Sequence, residues 1–82
     1  MNTLDVREEI LKCHDYAIEN EMTNQVIRLY INGEDDIEIW EDKGYFYFST
    51  GSFRYGKLDE LIDDLCEEIE DNKYEITNIE IE

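Results

Sequence analysis

An α+β fold is predicted for this chain: a helix, a three-stranded antiparallel meander, a second helix and a C-terminal strand, with both helices packed on one sheet face. Three observations predict it. Apolar residues recur at three- and four-residue spacing near the start of the chain and again from Leu58 to Ile69. Between Gln25 and Thr50 the period drops to two, and that stretch is punctuated by Asn32-Gly33 and Asp42-Lys43-Gly44, both short turn signals.

Each element follows from its local pattern. Over residues 3–21, Leu4, Val6, Ile10, Leu11, Cys13, Ala17 and Ile18 form the apolar stripe of a first helix, with Asn2 or Thr3 available as its cap. In the first strand Ile27, Leu29 and Ile31 point one way, and Val26, Arg28 and Tyr30 the other. The second, Ile37 to Glu41, alternates Ile37 and Ile39 with Glu38 and Trp40. The third, Tyr45 to Thr50, alternates Phe46 and Phe48 with Tyr45 and Tyr47. Thr50-Gly51-Ser52 breaks or bends it, and Phe53 and Tyr55 extend it or form a short further strand. Leu58, Leu61, Ile62, Leu65 and Ile69 then fall on one arc of the second helix, the clearest in the chain. In the last strand Tyr74 and Ile76 are out of phase with Ile79 and Ile81, which predicts a bulge near Thr77-Asn78.

Length and composition bound the function. The 82 residues make a single domain, 1–82, that buries roughly 60 to 65% of its unfolded surface, leaving little room for a two-walled active-site cleft. Ten aromatic residues and 41% apolar content argue against acidic disorder. No apolar run reaches the ~18 residues of a membrane span, and the N-terminus lacks the order of a signal peptide, so a cytoplasmic protein without membrane contact is expected. There Cys13 and Cys66 stay reduced.

The formal charge is −16, from 23 acids and 7 bases. Phosphate backbones and anionic lipids repel such a surface, which excludes direct nucleic-acid binding. The signs are also segregated. The second helix carries Asp59, Glu60, Asp63, Asp64, Glu67, Glu68, Glu70 and Asp71 with no base between Lys57 and Lys73. Glu60, Asp63, Asp64, Glu67 and Asp71 cluster opposite its leucine stripe. Five like-charge pairs at four-residue spacing cost together roughly 1 to 2.5 kcal/mol, against about 4 to 12 kcal/mol for the whole domain. A second acidic group, Glu34, Asp35, Asp36, Glu38, Glu41 and Asp42, surrounds the first hairpin turn. Solubility is usually served by mixed signs and a net charge of about 2 to 8, so the segregation calls for another reason.

Acids on one helix face recur about every 6 Å, which approximates the spacing of phosphates along a strand whose axial step is ~3.4 Å. Such a face can occupy a Lys/Arg-lined groove built for DNA or RNA, inhibiting its owner by occupation. With the isoleucines and Phe46 and Phe48 facing the helices, Tyr30, Trp40, Tyr45 and Tyr47 lie on the opposite sheet face beside Arg28 and Glu38. A Tyr/Trp surface rimmed by acids has the composition of an interface centre. The expected partner-binding residues are therefore Glu60, Asp63, Asp64, Glu67, Asp71, Glu34, Asp35, Asp36, Trp40, Tyr45 and Tyr47.

In element order over residues 3–71 and in charge style, the chain resembles small, highly acidic phage-encoded inhibitors of nucleic-acid enzymes, among them anti-CRISPR proteins of the DNA-mimic type. That resemblance implies a basic nucleic-acid-binding partner, a nuclease or CRISPR effector, bound where duplex DNA would sit in the host bacterial cytoplasm. Two other readings use the same features: an immunity-type antitoxin that neutralises a basic nuclease toxin, and a structural phage or bacterial protein that forms a homodimer through its Tyr/Trp face.

No enzymatic activity is expected. His14 beside Cys13, with Cys66 far along the chain, lacks metal-ligand spacing, and neighbours on a helix point about 100° apart, which misplaces a catalytic pair. Exposed, repetitive acids are the reverse of a buried carboxylate tuned for acid/base work. No catalytic residue, metal or cofactor is expected.

Overall fold

The computed structural model describes residues 5–22, 24–33 and 35–82. The elements run α1 (Val6–Glu19), β1 (Ile27–Ile31), β2 (Ile37–Asp42), β3 (Tyr45–Phe48), α2 (Leu58–Asn72) and β4 (Ile76–Ile81). The strands form one antiparallel sheet in the order β3-β2-β1-β4. This is the predicted α+β architecture.

α1 starts later than its apolar spacing suggests. Asp5 is the N-cap, its carboxylate accepting from the Glu8 N–H at 3.1 Å, and Glu8 and Glu9 favour the positive end of the helix dipole. Asn2, Thr3 and Leu4 lie outside the described residues. Ile18, expected on the buried stripe, is 62% exposed. The stripe is narrower than expected: Val6, Ile10, Cys13 and Ala17 share one arc, and Ile18 lies about 100° beyond Ala17.

Two glycines shape the meander. Lys43 and Gly44 both have positive φ, 52° and 85°, as a two-residue hairpin of the type I′ family requires. A Cβ on Gly51 would stand 2.7 Å from the Phe48 ring, so only glycine lets the chain turn tightly over that side chain. The segment after Gly51 makes a single bridge, Phe46 to Tyr55, with N–H···O distances of 2.8 and 3.0 Å, rather than a strand. In β4 the register passes from Tyr30↔Asn78 to Ile31↔Ile76, which leaves Thr77 unpaired: the predicted bulge.

The core is a single layer. Ile27, Leu29, Ile31, Ile37, Ile39, Phe48 and Ile79 from the sheet meet Ile10 of α1 and Leu58, Leu61, Ile62 and Leu65 of α2, with Tyr55 stacked on Phe48 at the side. Both helices therefore cover the same sheet face. Leu61→Ala should cost about 2 to 5 kcal/mol, a large share of the ~4 to 12 kcal/mol available, as a lowered urea midpoint, whereas Ile18→Ala should stay within about 0.5 kcal/mol.

Candidate functional site

The predicted partner-binding residues divide between two surfaces on opposite sides of the sheet. On α2, Glu60, Asp63, Asp64, Glu67 and Asp71 are all exposed, because Leu58, Leu61, Ile62 and Leu65 turn the other side of the helix into the core. The stripe is less uniform than its sequence suggests. Arg7 reaches across from α1 to hydrogen-bond Asp63 and lies 3.8 Å from Asp59, so one base from outside α2 is already placed against its acids. Asp63 in turn raises the Arg7 pKa, chiefly through that hydrogen bond. Asp64 accepts from the Tyr55 hydroxyl at 2.7 Å, and Glu68 accepts from Thr50. Glu60, Glu67 and Asp71 make no ion pair or side-chain hydrogen bond among the described residues and are the outward carboxylates of the stripe.

On the open face of the sheet, Trp40 stacks on Tyr47 across β2 and β3, their centroids 5.7 Å apart and their planes within 13°. The Arg54 guanidinium lies over the Tyr45 ring, 4.5 Å from its centre. Beside them, along the β3 edge, is a shallow hollow of about 440 Å³ bounded by Trp40, Tyr47, Ser49, Phe53 and Arg54. Of the hairpin acids, Asp35 is exposed and Asp36 leans 3.8 Å from Arg28 on this same face; Glu34 lies outside the described residues.

Sequence reasoning placed Arg28, Tyr30 and Glu38 on this face but missed that Glu80 and Glu82 join them at its centre. Arg28 is held 3.1 Å from Glu38 on one neighbouring strand and 2.6 Å from Glu82 at the end of the other, its buried Nε–H out of line with the latter so that the contact is ionic. Glu80 stands directly opposite Arg28, and the Tyr30 hydroxyl donates to Glu80 at 3.3 Å and Glu82 at 3.4 Å. Partial desolvation, followed by the charges of Glu80 and Glu82, pushes the Tyr30 phenol up. The signal was present: Ile79 and Ile81 facing inward oblige Glu80 and Glu82 to face outward. What the alternation lacks is that β4 lies against β1.

Cys13 and Cys66 are half-buried free thiols, both pushed up chiefly by desolvation, and His14 packs edge-on against Phe46 at 5.6 Å. Among the described residues no group of His, Cys, Asp and Glu is placed to hold a metal ion, and no helix is long and apolar enough to cross a membrane. No protein-family model, curated protein or solved structure matches the chain.

The Tyr55–Asp64 contact gives α2's stripe a pH-dependent anchor. Burial first, then the bond to Asp64, raises the Tyr55 phenol from 10.0 to about 12. A pKa higher in the folded than in the unfolded chain contributes stability that is intact below pH 10 and lost as pH rises through 12. Thermal stability should fall across that window and fall less in Tyr55→Phe, which should also lose the last step of the tyrosinate absorbance titration. An identical alkaline decline in both proteins would place its cause elsewhere.

Proposed function

We propose that this protein is an acidic nucleic-acid mimic that inhibits a basic nucleic-acid-binding enzyme, such as a bacterial nuclease or CRISPR effector, by occupying its DNA or RNA groove. The observation that carries this reading is the outward stripe Glu60, Glu67 and Asp71 on α2, flanked by Asp63 and Asp64, on a rigid helix whose other side is core. A groove lined with Lys and Arg gains most of its affinity for nucleic acid by neutralising phosphates, and a row of fixed carboxylates supplies the same charge without a backbone to cut. Arg7 tethers the stripe's first half through Asp63, and Tyr55 its middle through Asp64, so the carboxylates are presented in a set arrangement.

A second reading, neutralisation of a basic toxin, is favoured by the aromatic sheet face, which is built like a protein interface rather than a phosphate mimic. The two differ in which surface makes the contact.

Displacement of a labelled duplex from a CRISPR effector nuclease, followed by fluorescence anisotropy, tests the first reading. The protein should displace the duplex at low salt and lose affinity steeply as salt rises. Replacing Glu60, Glu67 and Asp71 by Gln, Gln and Asn should weaken displacement roughly tenfold or more, about 1.4 kcal/mol or above. Because these acids contact no base of the described chain, the variant should melt at or above the wild-type temperature at low salt. Equal displacement by variant and wild type would remove α2 from the mechanism.

A further inference from the structure

Both helices cover one face of the sheet, and no described element covers the other. Its occupants can be followed strand by strand: Tyr45 and Tyr47 on β3, Glu38, Trp40 and Asp42 on β2, Arg28 and Tyr30 on β1, Asn78 and Glu80 on β4, with Asp36 and Glu82 at the ends. One half is aromatic. Trp40 is 37% and Tyr45 39% exposed, and Phe53 at the adjoining hollow is 71% exposed. The other half is anionic: Asp36, Glu38, Glu80 and Glu82 surround the single cation Arg28, a local excess of three negative charges.

We propose that this open sheet face is a docking surface for an arginine-bearing segment of a second protein, separate from the acidic stripe of α2. Charge complementarity fixes the sign of the occupant. The chain's own arginines show the two ways in which the face holds a guanidinium: Arg54 lies flat over Tyr45, and Arg28 is forked between carboxylates of adjacent strands. Both modes suit a planar, delocalised cation better than a lysine ammonium. The arginines of an incoming segment find both again at separate places, an aromatic bed at Trp40 and Tyr47 on β2 and β3 and, on β4, the carboxylate of Glu80, whose described partners are only the Tyr30 hydroxyl and the Asn78 amide. A nucleic acid meets three excess negative charges here, and a second copy of this chain meets its own. The inference does not rest on mimicry by α2.

The full chain contains one tryptophan, so emission excited at wavelengths too long for tyrosine to absorb reports on Trp40 and hence on this face. Titration with a short synthetic peptide alternating arginine and glycine should change Trp40 emission saturably, with affinity roughly tenfold higher than for the lysine counterpart and lost with citrulline. Neutralising Glu38, Glu80 and Glu82 to Gln should weaken binding roughly tenfold or more. Tyr47→Leu, which keeps the carboxylates and the fluorophore, should weaken it by a smaller factor and narrow the preference for arginine over lysine. Neutralising Glu60, Glu67 and Asp71 on α2 should leave it within about twofold. Circular dichroism confirms that each variant is folded. Calorimetric binding that leaves Trp40 emission unchanged, or that disappears with the α2 variant but not the sheet variants, would overturn the proposal. So would concentration-dependent self-association removed by Trp40→Ala, which would assign the face to a second copy. Failure of duplex displacement leaves this inference standing, and failure here leaves the α2 mechanism standing.

Discussion

One-sided burial governs this molecule. A chain of 82 residues has enough apolar side chains for one layer, and Ile27, Leu29, Ile31, Ile37, Ile39, Phe48 and Ile79 put all of theirs on the sheet face that α1 and α2 cover. A four-stranded antiparallel sheet tolerates this because its other face can meet water, provided that the alternate positions carry polar or amphipathic side chains. They do: Arg28, Glu38, Glu80 and Glu82 among the charged, Tyr30, Trp40 and Tyr47 among the aromatic. The same constraint fixes α2. Its leucines are spent inward, so its acids can only point out, and the acidic stripe and the open sheet face end up on opposite sides of one core.

The few bases are placed where they organise acids rather than cancel them. Arg7 takes Asp59 and Asp63 and ties α1 to α2; Lys12 stays within α1 against Glu8 and Glu9; Arg28 gathers Asp36 and Glu38 from the start of β2 and Glu82 from beyond the end of β4. Three cations thus serve seven carboxylates, and each contact joins elements or stiffens one. Exposed pairs of this kind add little to stability. Their consequence is geometric: the paired acids sit at junctions or along α1, and Glu60, Glu67 and Asp71, without a base among the described residues, face solvent on α2.

The fold was legible because its signals are periodic and local. The spacing of Leu58, Leu61, Ile62 and Leu65 admits only one buried arc, and the phase slip between Ile76 and Ile79 places a bulge near Thr77-Asn78, which the strand pairing narrows to Thr77. Errors arose where a single residue outweighed a pattern. Asp5 caps α1 because its carboxylate reaches the Glu8 N–H, a competition among polar residues that hydrophobic spacing does not register. Ile18 looked apolar enough for the core, but the stripe had already turned past it. The site was half legible. Outward acids on α2 and outward aromatics on β2 and β3 follow from period alone, whereas Arg7 against Asp59 and Asp63, and Arg28 against Glu82, join residues more than fifty positions apart. Those pairings depend on strand order and helix crossing, which are properties of the assembled chain.

Having two charged faces back to back has an electrostatic consequence. The smallest extent of the molecule is 19 Å, about twice the ≈ 8 Å Debye length at physiological ionic strength, so a cation docked on one face is largely screened from the carboxylates on the other. At ~0.01 M salt the screening length grows to about 30 Å and exceeds that thickness, and the whole charge of −16 then acts on any approaching base. Association at low salt is therefore steered by the entire molecule and cannot distinguish its surfaces, while at physiological salt each face acts through its own side chains. Under those conditions the aromatic bed of Trp40 and Tyr47 separates the two: carboxylates alone attract any cation, but a ring face beside them selects a planar one. On the two readings proposed here, discrimination on the sheet side would come from the ring faces together with the carboxylates, and on α2 from the spacing of its acids.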